Sequence, residues 1–186
     1  MKENLKEEFI RLLYLTERKG IKRLIDWLEE TDFFIAPAST KYHLSKEGGL
    51  LEHSLNVYDE LVNEYTETYF ESNVVSLIIV ALLHDICKTN YYSIGTKKVK
   101  KDNEWVDETF YKVDDQLPIG HGEKSVMILQ NFIELTEDEL VAIRWHMGGF
   151  EPKENYGSLS QAFNKYPLAL YLHIADLKAT YIKESE

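Results

Sequence analysis

Val74-Val75-Ser76-Leu77-Ile78-Ile79-Val80-Ala81-Leu82-Leu83-His84-Asp85-Ile86-Cys87-Lys88 is the stretch on which the fold turns. Apart from Ser76, the run from Val74 to Leu83 is apolar all round a helical circumference, so it predicts a helix over 74–88 at the centre of an all-helical core. A membrane helix needs roughly 20 such residues, and this run has about half that. It closes on His84-Asp85, an ionisable pair that is costly in apolar surroundings unless it is bonded or holds a metal.

Helical spacing continues on both sides. Phe9, Leu12, Leu13 and Thr16 predict one helix, and Leu24, Ile25 and Leu28 a second after Gly20. Residues 32–48 carry no helical period and predict an extended loop. A helix over about 50–70 follows, with Leu51, Leu55, Tyr58, Leu61, Val62 and Tyr65 as its buried stripe. Further helices are predicted over 121–133, over 137–147 with Thr136 and Glu139 as a capping box, and over 167–182 with Pro167 in its first turn. Residues 148–160 read as a loop. Between Lys88 and His121 the pattern changes. A turn at Asp102-Asn103 sets Lys101 against Glu104, Val99 against Val106, Lys98 against Asp107 and Lys97 against Glu108. Three opposite-charge pairs and one apolar pair in a single register predict a β-hairpin over 96–113. The expected organisation is therefore one all-α domain over 1–186, with 1–31 as an N-terminal helical extension and 96–113 as a hairpin insertion.

The chain of 186 residues is 44% hydrophobic and 28% charged, an ordinary composition for a folded globular protein. Its formal charge of −11 repels duplex DNA and anionic lipid, whose binding relies on Lys and Arg. A small anion stays admissible where a local cluster or a metal reverses the field. The single cysteine, Cys87, excludes an intrachain disulfide framework. With no apolar leader at the start, a cytoplasmic location is expected. The lysine run 97–101 reads as one side of a charge-laced hairpin rather than a nucleic-acid patch. Beside it, Tyr91, Tyr92, Trp105, Phe110 and Tyr111 are candidates either to stack a base or to pack the hairpin.

His53, on the core side of its helix, joins His84, Asp85 and Asp176 as ionisable groups in apolar settings. Imidazole with carboxylate suits first-row transition metals better than an all-oxygen Mg²⁺ cage. The order His53, His84-Asp85, Asp176 resembles that of the HD-domain metal-dependent phosphohydrolases. Gly49-Leu50-Leu51-Glu52-His53-Ser54 and Ala81-Leu82-Leu83-His84-Asp85-Ile86-Cys87-Lys88 are similar to the family's motifs, with Cys87 where Gly is usual. Gly120-His121-Gly122 and Trp145-His146 resemble the two extra histidines of the binuclear branch. The segment from Pro37 to His53 is similar to the HD domain of YhaM-type 3′-to-5′ exoribonucleases.

The resemblance implies an all-α HD-domain helical bundle and a two-metal centre. His53, His84, Asp85 and Asp176 would hold one cation, and Asp85 would bridge to a second held by His121 and His146. The expected cofactors are two divalent transition metals (Mn, Fe, Ni, Co or Zn), with Mg left open. Lys88 lies four residues after His84 and three after Asp85, so it faces the same pocket and is expected to neutralise a phosphate, with Lys124 in a like position after His121. Asp85, Lys88 and Lys124 are thus the expected catalytic groups. Lys88, Lys124, Lys41 and His43 are the expected contacts to a small phosphorylated partner of the nucleotide kind. Arg144, two residues before His146, falls on the other helix face. Glu52, Glu123 and His43 are the nominal candidates for a leaving-group acid. The implied reaction is phosphate-ester hydrolysis by a metal-activated hydroxide. The alternatives are a 3′-to-5′ exonuclease or cyclic-nucleotide phosphodiesterase, a binuclear iron oxygenase, and a non-enzymatic metal-dependent nucleotide sensor. Oligomeric state is left open.

Overall fold

A computed structural model describes residues 2–68 and 73–185, with the side chains of residues 4–64 and 73–185. The architecture is the expected all-α helical bundle carrying one hairpin. The helices are α1 (Lys2–Leu15), α2 (Ile21–Glu29), α3 (Gly49–Thr68), α4 (Val74–Leu83), α5 (His121–Leu129), α6 (Glu137–Trp145), α7 (Tyr156–Lys165) and α8 (Pro167–Lys178). Helix α4 is central, with every residue from Ser76 to Leu83 buried. Around it pack Leu50, Val57 and Leu61 of α3, Ala142 and Ile143 of α6, and Leu168, Leu172 and Ala175 of α8. Phe9, Leu13, Leu24 and Leu28 of the first two helices join this same core. In the α3 stripe Leu51, Leu55 and Leu61 are buried and Tyr58 and Val62 half-buried, whereas the Tyr65 side chain lies outside the described residues.

Strands β1 (Tyr92–Lys101) and β2 (Glu104–Val113) pair antiparallel in the register anticipated from charge, from Lys101↔Glu104 through Lys97↔Glu108. The ladder runs four residues further towards the bundle than predicted, to Tyr92↔Val113. Asp102 and Asn103 both take positive φ, 50° and 69°, as a tight two-residue hairpin turn requires. Opposite Gly95, the Phe110 ring takes the space of a side chain, and a Cβ would sit 2.7 Å from that ring.

Two predicted boundaries move. Helix α4 stops at Leu83 rather than Lys88. Asp85 leaves helical geometry at φ −100°, ψ 18°, and Ile86–Lys88 form a separate 3₁₀ turn. The backbone has to open here, since neighbours on a continuous helix diverge by about 100°. Part of the predicted loop 148–160 is the start of α7, whose small and polar residues (Gly157, Ser158, Ser160, Gln161) mask a spacing of Leu159, Ala162 and Phe163.

Helix α6, which delivers His146, is clipped to α4 and to the α1–α2 connection through one carboxylate. Glu139 completes the capping box with Thr136, accepts a 2.7 Å bond from Ser76 Oγ and takes a bidentate pair of bonds from Arg18 at 2.7 and 2.9 Å. Glu139 is fully buried. Removing Arg18 leaves that charge uncompensated, so Arg18→Ala is expected to lower stability by about 3 kcal/mol in urea unfolding, with metal content at saturating metal unchanged. A loss under about 1 kcal/mol, the worth of an ordinary exposed pair, would show that Ser76 and Thr136 suffice.

Candidate metal centre

Four elements bring the ionisable core residues to one point. His84 and His146 occupy the same local position, each capping the C-terminal end of its helix. The last carbonyls of a helix have no intrahelical donor, and each imidazole uses one. His84 Nδ1 donates to the Ala81 carbonyl at 2.8 Å and His146 Nδ1 to the Ile143 carbonyl at 2.7 Å. With the proton fixed on Nδ1, each Nε2 presents a lone pair, as a metal ligand must. Both Nε2 atoms are buried without a hydrogen-bond partner.

Those nitrogens converge on two carboxylates. Asp85 Oδ2 lies 3.5 Å from His84 Nε2 and 3.8 Å from His53 Nε2, while Asp85 Oδ1 lies 3.5 Å from His146 Nε2. Asp176 Oδ1 is 3.3 Å from His53 Nε2. One Asp85 oxygen thus faces His53 and His84 and the other faces His146, the disposition a bridging carboxylate needs. His121, the first residue of α5, brings a ligand atom within 4.8 Å of Asp85 and of Cys87. Its Nδ1 is 3.2 Å from the Cys87 sulfur. Burial pushes the Cys87 thiol up to about 12, so it stays protonated beside that ring.

One contributor escaped the sequence reading. Glu184 follows a π-helical turn over Ala179–Lys183 and lies buried against His53, with both its oxygens 3.1 Å from Nδ1. Asn56 donates to it at 2.8 Å. In a run of charged residues it carries no sequence signal, since only the turn aims it inward. Carboxylate, imidazole and metal in line form a familiar supporting arrangement that fixes the ring and raises its basicity.

Electrostatics agree with a site built for cations. Burial alone would depress the His53 imidazole, but Asp176 and Glu184 on its two nitrogens outweigh this and raise it from 6.5 to about 9. His84, buried with no such carboxylate bond, falls to about 4. Asp85 overcomes its burial through Lys88 and the neighbouring histidines and stays ionised, well below the usual carboxylate range. Orphaned imidazole nitrogens facing ionised carboxylates fit divalent metal binding, for which His53, His84, Asp85, His146 and Asp176 would supply ligands, with His121 beside Cys87 next to them.

The remaining expected groups divide. Lys88 reaches the centre, with Nζ 2.7 Å from Asp85 and 2.8 Å from the Ala38 carbonyl. His43 lies beside His53, with the rings tilted and 5.0 Å between centroids, and its buried Nε2 has no partner. Both line a cavity of about 650 Å³ over the cluster. Lys124 does not line it, because its ammonium is turned to Asp115 at 2.6 Å beneath the Tyr91 ring. Lys41 also lies outside the lining, over the ring of Tyr42. Arg144 pairs with Glu151 at 2.8 Å and also with Glu123, away from the centre as expected. Glu52 pairs with Lys46, so of the three leaving-group candidates only His43 faces the cavity. Tyr91, Tyr92 and Val113 at the hairpin base line it, whereas Trp105, Phe110 and Tyr111 do not.

The family model for the HD domain matches residues 50–181, which contain the whole set from His53 to Asp176. No curated protein and no solved structure matches the chain.

Two tests follow from the geometry. His53 must release its Nε2 proton before it can hold a cation. The raised value means that this proton stabilises the metal-free fold below about 6.5 and that the contribution is lost as pH climbs through about 9. Mn²⁺ affinity is therefore expected to rise with pH up to about 9, with close to one proton released per His53 at pH 7. Calorimetry in buffers of different ionisation enthalpy measures this directly, and zero proton release would contradict the assignment. Glu184→Ala is expected to weaken metal binding about 10- to 100-fold, read by competition with a chromophoric chelator.

Proposed function

The chain belongs to the HD-domain family of metal-dependent phosphohydrolases, and we propose that it hydrolyses a small phosphate ester of the nucleotide kind at a centre holding two divalent cations. The observation that carries this reading is the split use of Asp85, whose two oxygens face different histidines. When bound, divalent cations lower the pKa of water towards neutrality and offset charge on a phosphoryl oxygen.

The chain's own groups supply position and charge. His53, His84 and Asp176 would hold one cation, His121 and His146 the other, with Asp85 between them. Helix-end carbonyls and Glu184 keep the imidazoles from turning, so little reorganisation accompanies substrate binding. Lys88 supports phosphoryl oxygens from the cavity floor, held there by Asp85 and the Ala38 carbonyl. His43, whose buried Nε2 has no hydrogen-bond partner, lines the cavity and is the group placed to serve the leaving oxygen. The buried setting of Lys88 and Asp85 strengthens each of these interactions relative to bulk water.

A small substrate is favoured over a long nucleic acid. Tracking a phosphodiester backbone takes a positively charged groove, and Lys88 is the one Lys or Arg among the described residues that line the cavity. The exoribonuclease-like segment from Pro37 to His53 therefore contributes cavity wall through Ala38, Tyr42 and His43 rather than a basic track.

Asp85→Ala is expected to abolish binding of both metals together with hydrolysis of bis-p-nitrophenyl phosphate and of nucleoside monophosphates. Lys88→Ala should retain metal, by elemental analysis, while kcat falls on the order of 100-fold. Full turnover by the Asp85 variant, across a panel of Mn²⁺, Fe²⁺, Co²⁺, Ni²⁺ and Mg²⁺, would overturn the reading.

A further inference from the structure

The cavity above the metal cluster has a chemical asymmetry that the hydrolysis of phosphate esters does not by itself require. Its floor is ionic and buried: His53, Asp85 and His146 are each under a twentieth exposed. Its mouth is aromatic and open. Phe150 is 63% exposed, Tyr181 63% and Tyr42 80%. Single exposed apolar residues are ordinary on protein surfaces. These three come from separate segments, namely the 3₁₀ turn Gly148–Phe150, the π-turn Ala179–Lys183 and the loop before α3, and they meet at one opening. Met147 and Leu177, both half-buried, add apolar lining to the same cavity.

Cations are distributed oppositely. Lys88 lies at the floor, tied to Asp85, whereas Lys124 is held by Asp115 and Lys41 stands over the Tyr42 ring, neither of them in the lining. One phosphoryl group at the floor meets the metals and Lys88. A second or third phosphate, extending outward, would lie against aromatic and aliphatic side chains with no further Lys or Arg among the described lining residues to replace its lost hydration, which is unfavourable. A flat apolar group in that position would instead cover rings now exposed to water.

We propose that this centre selects esters with a single phosphoryl group attached to a flat apolar organic part, which lies against Phe150 and Tyr181, and that it discriminates against polyphosphates. The inference rests on the phosphohydrolase reading and refines its substrate class. Thr40 and His43, also in the lining, supply polar groups for the hydroxylated portion of such a substrate.

Binding can be measured without turnover by titrating metal-loaded protein, at saturating free Mn²⁺, with methylphosphonate, phenylphosphonate and inorganic triphosphate. Phenylphosphonate should bind about 10-fold or more tightly than methylphosphonate, the order expected for one stacked ring, and triphosphate no more tightly than phenylphosphonate. Phe150→Ala and Tyr181→Ala should each shrink the phenyl advantage, and Phe150→Tyr should preserve it. The kcat/KM ratio of nucleoside monophosphate over the matching triphosphate should exceed 10. Equal binding of the two phosphonates, tightest binding of triphosphate, or an unchanged phenyl advantage in both alanine variants would overturn the proposal while leaving phosphoryl chemistry intact. If no phosphonate binds and no ester is hydrolysed, the phosphohydrolase reading falls and takes this one with it.

Discussion

Two adjacent residues, His84 and Asp85, must both face one buried point, and a continuous helix forbids that. The structure meets the constraint by ending α4 at Leu83 and letting Asp85 step out of helical geometry. Much else follows from that break. The carbonyls released at the helix end fix the His84 ring. The 3₁₀ turn that follows swings Lys88 back onto Asp85 and sets Cys87 against His121. The apolar run before it is what makes the break affordable, because a helix buried on every side is anchored by packing and does not depend on its last turn.

The same device appears twice. His146 ends α6 as His84 ends α4, with Nδ1 on the carbonyl three residues back. The backbone behind His146 is itself braced, since its carbonyl accepts a bond from His173 Nδ1 at 2.8 Å. His173 in turn stacks on Phe163 of α7. His173 lies on α8, three residues before Asp176. Its actual task is to hold His146 through the main chain, which ties the helix hidden in the expected loop to the metal cluster.

What was legible in the chain and what was not divide along a physical line. The hairpin register could be read because cross-strand charge pairs are local and their partners are few. The α6 capping box and the deep burial of α4 could be read because both are written in spacing. Lys88 could be placed because three- and four-residue offsets put it on the side of His84 and Asp85. Lys124 obeyed the same offset rule and turned away, because Asp115, in a loop with no periodicity, captured its charge. Glu184 was invisible for a related reason: a π-turn changes which face a residue presents, and spacing arguments presuppose 3.6 residues per turn.

The hairpin carries one more consequence. A two-stranded ribbon has two open edges, each a row of unpaired amides and carbonyls on which another chain could add a strand. Ile94, Trp105 and Val113 are all more than half exposed along this ribbon, which would make such addition adhesive. Lys97, Lys98, Lys100 and Lys101 crowd one strand, and two copies meeting edge to edge along β1 would bring these like charges together. The run that superficially resembles a nucleic-acid patch therefore counts against edge-to-edge pairing along β1, as charged side chains on an open sheet edge do.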